Sequence, residues 1–131
     1  MSYLFVALSY LIGSINFAYL VAKYKKLDIS SSGSGNPGTS NVMRTIGKKY
    51  AAIVLIGDVF KGFIPIFLFD ENLLLCGFAA VIGHIYPIFY KFKGGKGVAT
   101  YIGVYIAFST LNPISYDLFE NSYFLFLNIP V

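Results

Sequence analysis

The sequence has one cysteine (Cys76), one histidine (His84), no tryptophan, and only six acidic residues in 131. A single cysteine excludes a disulfide framework. One His and one Cys offer no set of ligands at metal-binding spacing, so no metal site is expected. Charged residues make up 12 % of the chain, about half of the ~25 % usual in a soluble domain. That is too little charge to cover a soluble fold of this size. A hydrophobic content of 56 % equally excludes a disordered chain, which needs low hydrophobicity. The net charge is +4, but 11 Tyr and 13 Phe outnumber the ten Lys and Arg. That balance argues against a nucleic-acid partner.

What the chain does have is long apolar runs. A helical span takes about 20 residues, so the chain accommodates about four spans and leaves no room for a soluble domain. The expected fold is an all-α integral membrane protein, a multispanning helical bundle forming one membrane domain over residues 1–131. The runs cover Tyr3–Val21, Tyr50–Phe69, Leu73–Phe89 and a shorter Val98–Leu111. A last run, Tyr123–Val131, is too short to cross as a helix. The first run lacks the basic n-region and small-residue cleavage site of a signal peptide and reads as a span. Lys23, Lys25, Lys26, Arg44, Lys48 and Lys49 lie between the first two spans, and Lys91, Lys93 and Lys96 between the last two. The turn Asp70-Glu71-Asn72 carries no cation. The positive-inside rule therefore places both basic loops on the cytoplasmic side and the N-terminus outside.

Both loops are rich in glycine. In Gly33-Ser34-Gly35-Asn36-Pro37-Gly38 the glycines allow backbone N–H groups to turn inward as an anion nest, and Ser34 and Asn36 add side-chain donors. Thr39, Ser40 or Asn41 can cap a helix beginning near Val42 and running on into the membrane. On such a helix Asn41, Arg44 and Lys48 share one face, and a guanidinium there suits bidentate phosphate recognition. Gly33, Gly35 and Gly38 also fit G-x-G-x-x-G. A basic segment precedes them in place of a strand and Pro37 interrupts them, so the dinucleotide reading fails. The blander alternative is a polar linker. The second loop sets Gly94-Gly95-Lys96-Gly97 directly before a helix starting at Val98, a second candidate phosphate cradle. Its lysines also fit ordinary membrane anchoring. Two such loops on one face predict a phosphate-bearing ligand at the cytoplasmic surface.

Within the spans, Asp58 and Lys61 are three residues apart and can pair. They read either as a self-neutralising structural pair or as groups facing the active cavity. Counted from Tyr50, Asp58 lies about two turns into the span, so neither residue is near the cytoplasmic edge unless the helix is tilted. His84 reads as a packing residue or as a proton-handling or substrate-contact group, and Cys76 as a small buried apolar residue. No acidic residue follows His84 at the H-x-x-x-x-D spacing, and no Ser-His-Asp order is present. Without a visible base, Ser34 suits hydrogen-bond donation better than acyl-enzyme formation.

The runs GSGNPGTSNVMRTIG, GDVFKG and GHIYPIFYKFKGGKGVAT resemble the bacterial acyl-phosphate:glycerol-3-phosphate acyltransferases, the PlsY family, over residues 1–108. The resemblance implies a multispanning inner-membrane enzyme with its motif loops on the cytoplasmic face. It implies transfer of a fatty acyl group from acyl phosphate to the 1-hydroxyl of sn-glycerol 3-phosphate, without cofactor or metal. Ser34 and Arg44 match functional positions of the first motif and stand as catalytic candidates. Gly94, Gly95, Lys96 and Gly97 match the glycerol 3-phosphate loop. Gly33, Gly35, Asn36, Gly38, Asn41 and His84 complete the candidate substrate-binding set, with Asp58 and Lys61 in support. The implied partners are glycerol 3-phosphate, acyl phosphate, the lipid bilayer and the soluble enzyme that makes acyl phosphate. The sequence departs from the family at Ser30, where a cation is common. Residues 109–131 form a divergent tail that carries nothing like the family's third motif. The expectation is a C-terminally shortened member with little or no activity alone. The alternative function is a transporter or channel subunit binding phosphate compounds, for which Asp58, Lys61 and Pro65 inside a span are the relevant features.

Overall fold

The computed structural model describes residues 3–111, 121–122 and 124–128. Residues 112–120, which make up most of the polar stretch of the divergent tail, and 123 and 129–131 of its final apolar run lie outside the described residues. All regular elements among them are helical: α1 (Leu4–Ser14), α2 (Phe17–Tyr24), α3 (Thr39–Thr45), α4 (Lys48–Leu68), α5 (Leu73–Ile85) and α6 (Val98–Leu111). Two short 3-10 turns, Ile29–Ser31 and Ile88–Tyr90, lie in the loops. Leu4–Tyr24, Lys48–Leu68 and Leu73–Tyr90 are each long and apolar enough to cross a membrane, and α6 is a shorter apolar helix. The surface agrees. Exposed Leu4, Leu8 and Leu11 recur at helical spacing along α1, as do Ile53, Ile56, Phe60 and Phe67 along α4. Each stripe is a lipid-facing surface.

Two expectations are corrected. The first span is not one helix. Ile15 and Asn16 are extended, and the fully buried Asn16 starts α2 by accepting a hydrogen bond from the Tyr19 N–H on its Oδ1 at 3.0 Å. An asparagine in an apolar run competes with the helical backbone and caps the next turn instead. The helix after the first loop is also broken. It starts at Thr39, earlier than expected, and ends at Thr45. Gly47, at φ 139°, then separates it from α4. An L side chain is strained at that φ, which makes glycine the natural break. Arg44 and Lys48 consequently sit on different helices: Asn41 and Arg44 remain three residues apart on α3, and Lys48 drops out of the expected face.

The bundle packs α4 on α6 and α1 on α5, with α4 also touching α1, α2, α3 and α5. Small residues make these contacts. Gly62 faces the Thr100 carbonyl and Gly103 faces the Val59 carbonyl, each so closely that a Cβ would overlap the oxygen. Without a hydrophobic driving force between helices in lipid, such close approach is what supplies packing energy. Ile66, Cys76, Val104, Ala107 and Phe108 fill the adjoining core. Replacing Gly103 by Leu is therefore expected to drive α6 off α4 and abolish monodisperse protein in detergent. Ile106→Leu on the exposed side should elute unchanged. A monodisperse Gly103→Leu protein with an unaltered melting temperature would contradict this packing.

Candidate active site

The first loop is built by its polar side chains. Asp28 starts the turn at Ile29 by accepting from the Ser30 N–H (3.1 Å) and Ser30 Oγ (2.6 Å), while its carbonyl accepts from Ser31 and Ser32 hydroxyls. These bonds to Ser30 hold the Asp28 carboxyl below its ordinary range. Ile29 is buried and pins the turn to the core formed by α2, α3 and α4. Asn41, on α3, then clamps the glycine-rich segment. Its Oδ1 accepts from the Ser34 N–H (3.1 Å) and its Nδ2 donates to the Ser32 carbonyl (2.9 Å). Gly33, at φ 56°, packs where a Cβ would strike that Asn41 amide. Ser34 Oγ accepts from the Asn36 N–H at 3.3 Å. From below, Asn16 Nδ2 reaches the Pro37 carbonyl at 3.4 Å. The break in the first span thus supports the loop directly.

The second loop folds back over the end of α5. Pro87 terminates that helix region, and the Gly94 and Gly95 N–H groups donate to the carbonyls of Ile85 (3.0 Å) and His84 (3.2 Å). The loop therefore supplies partners for carbonyls that a helix end leaves open. Tyr19 Oη donates to the Lys93 carbonyl (2.8 Å), Tyr10 Oη donates to the Tyr86 carbonyl (2.7 Å), and the Tyr19 and Tyr90 rings stack at 4.4 Å. After this anchored stretch, Lys96 and Gly97 lead into α6. The N–H groups of its first turn have no intrahelical partner.

Between the loops lies a cavity of about 460 Å³. Ser34, Asn36, Gly38, Asn41 and Arg44 line it from the first loop and α3, and Lys96 and Gly97 from the second loop. Asp58 enters from α4 and His84 from α5. Leu55, Val98, Ala99 and Ile102 give it an apolar wall. The side chains of Arg44 and Lys96 are exposed and make no hydrogen bond or ion pair among the described residues. Two free cations, a helix start and several polar donors make this a place for an anion.

Asp58 corrects the depth counted from the sequence. The first loop dips into the bundle, so the carboxylate meets it in one cavity. Gly33, Gly35, Gly94, Gly95 and Lys61 do not line the cavity. Gly33 and Gly35 shape the first loop at φ 56° and 78°, and the Gly94 and Gly95 amides are spent on α5. Lys61 lies behind the wall, 4 % exposed, paired with Asp58 Oδ1 at 3.0 Å. Sequence reasoning missed Asn16, Tyr19 and the apolar wall. A polar side chain within an apolar span is the signal that could have found Asn16.

The fold and site define an integral membrane protein of packed helices with a cleft lined by Arg44 and Lys96. The family described as Glycerol-3-phosphate acyltransferase matches residues 3–125, and the chain belongs to that family. It is 47 % identical over 111 residues to a glycerol-3-phosphate acyltransferase of Aquifex aeolicus, covering 79 % of this chain and 58 % of the relative. To one of Methylobacillus flagellatus it is 50 % identical over 115 residues, covering 82 % of this chain and 58 % of the relative. It is also similar to crystal structures of PlsY, an integral membrane glycerol 3-phosphate acyltransferase. The glycerol 3-phosphate form superposes with a TM-score of 0.77 at 41 % identity, covering 95 % of this chain and 66 % of that one. The lysophosphatidic acid form gives 0.72, covering 88 % and 61 %. The chain thus spans 58 % of the length of these curated relatives.

Proposed function

We propose that the cavity serves transfer of a fatty acyl group from acyl phosphate to the 1-hydroxyl of sn-glycerol 3-phosphate. The carbonyl carbon exchanges its bond to the phosphate oxygen for one to the glycerol oxygen. The hydroxyl proton ends on the departing inorganic phosphate, and the other product is lysophosphatidic acid. Both substrates bring a phosphate, and the site offers two cations, Arg44 and Lys96. Arg44 is suited to grip one phosphate bidentately. Lys96, next to the start of α6, provides a point charge and backbone donors for the other. Cations and donors aimed at the phosphate offset the charge that develops as it leaves. Ser34 contributes a hydroxyl at the rim. The apolar wall of Leu55, Val98, Ala99 and Ile102 fits a substrate with an acyl end.

In this reading the protein lies in the bacterial inner membrane with both loops cytoplasmic and its N-terminus outside. That side gives access to soluble glycerol 3-phosphate and to the soluble enzyme that makes acyl phosphate. The observation that carries the proposal is the convergence of Arg44 and Lys96, neither of them paired, on one cavity.

Two measurements test it. Purified protein in nanodiscs should bind glycerol 3-phosphate saturably, lose it to inorganic phosphate, and bind no glycerol. A hybrid in which this chain replaces the matching region of the Aquifex aeolicus relative should form labelled lysophosphatidic acid from acyl phosphate and glycerol 3-phosphate. Absence of both binding and product would overturn the proposal.

A further inference from the structure

Lys61 stands behind the cavity wall yet is tied to it through His84. Its ammonium has three N–H donors. Two of them meet the Ile15 carbonyl (2.8 Å) and His84 Nδ1 (2.8 Å), and Asp58 Oδ1 lies 3.0 Å from the nitrogen as its ion-pair partner. Because an ammonium can only donate, Nδ1 of His84 must accept, and the ring proton then sits on Nε2. The Nε2 edge packs against Gly95. A Cβ at residue 95 would lie 2.5 Å from Nε2, 3.2 Å from the Pro37 carbonyl oxygen and 3.4 Å from Cδ2. Glycine at 95 therefore makes room for that edge of the ring, while its own N–H is held by the His84 carbonyl at 3.2 Å. His84 itself lines the cavity with Arg44 and Lys96.

We infer that Lys61 is a positioning residue that fixes His84 as an uncharged Nε2–H donor to an anionic phosphate oxygen in the cavity, with Gly95 as the spacer that keeps this donor open. The inference rests on the proposed function for the identity of the anion and assigns its second motif a different physical task. Gly95 acts through the absence of a side chain. The Ile15 carbonyl that helps hold Lys61 comes from the break in the first span, so that break contributes to the orientation of His84.

His84 is the chain's only histidine, which makes the ring directly readable by nitrogen NMR of histidine-labelled protein in nanodiscs at neutral pH. The expected spectrum shows an unprotonated Nδ1 and a protonated Nε2. Inorganic phosphate, and separately glycerol 3-phosphate, should move Nε2 and leave Nδ1 in place. In Lys61→Met the two tautomers should mix and the phosphate response of Nε2 should fall. In Gly95→Ala the tautomer should persist while the response is lost. The wild-type and Gly95→Ala spectra decide the matter even where Lys61→Met fails to fold. A protonated Nδ1 in the wild-type protein overturns the inference. Saturable anion binding with a silent Nε2 overturns it while leaving the proposed function intact. Absence of anion binding overturns the donor role together with the proposed function.

Discussion

Replacing Arg44 by Ala is expected to weaken glycerol 3-phosphate binding at least about tenfold without unfolding the protein. Hydrogen bonds to a charged group contribute roughly 1.5–3 kcal/mol, and 1.4 kcal/mol corresponds to about a factor of ten in affinity. The fold should tolerate the change because Arg44 is exposed and engages no partner among the described residues. Arg44→Lys restores the charge without the planar fork and should recover only part of the affinity. Lys48 provides the contrast. It belongs to α4, beyond the break at Gly47, and does not line the cavity. Lys48→Ala should leave binding nearly unchanged. Titration of the three variants with glycerol 3-phosphate in nanodiscs checks this. Equal losses for Arg44→Ala and Lys48→Ala would mean that net positive charge, not a placed guanidinium, holds the ligand.

That contrast also marks the limit of what was legible in the sequence. Lys48–Leu68, Leu73–Ile85 and Val98–Leu111 are readable because lipid imposes a length and an apolar composition on each span. The glycine- and cation-bearing loops are readable because phosphate chemistry needs backbone donors and positive charge together. What does not show is anything decided by contact at a distance. Asn16 breaks the first span and Lys61, three helices away in sequence, takes up the Ile15 carbonyl at 2.8 Å. Gly94 and Gly95 look like a nest because glycines permit one. Their N–H groups instead meet the carbonyls at the end of α5, a choice made by how the loop packs. Counting turns from Tyr50 placed Asp58 away from the loops. The estimate failed because the first loop folds inward and is clamped there by Asn41.

Asp58→Asn should be the most destabilising single change in the network. Asp58 is 1 % exposed and Lys61 4 % exposed, so neutralising the carboxylate strands an ammonium inside the membrane domain. Breaking a buried ion pair from one side costs about 3–5 kcal/mol, whereas removing both charges is often neutral. Intramembrane charges without partners are penalised in the same direction. The double variant Asp58→Asn/Lys61→Met should therefore regain most of the stability lost in the single variant. Thermal unfolding in one detergent reads this as a large drop in Tm for Asp58→Asn and a small one for the pair. A single variant as stable as the wild type, or a double variant as unstable as the single, would show that the pair is not what holds this region. Recovery of stability need not bring back the site. The double variant still lacks the ammonium that orients His84, so its anion binding should remain weaker than that of the wild type. Separating the two readouts distinguishes a charge pair kept for folding from one kept to aim a ring at the cavity. The bond from Lys61 to His84 Nδ1 predicts that it does both.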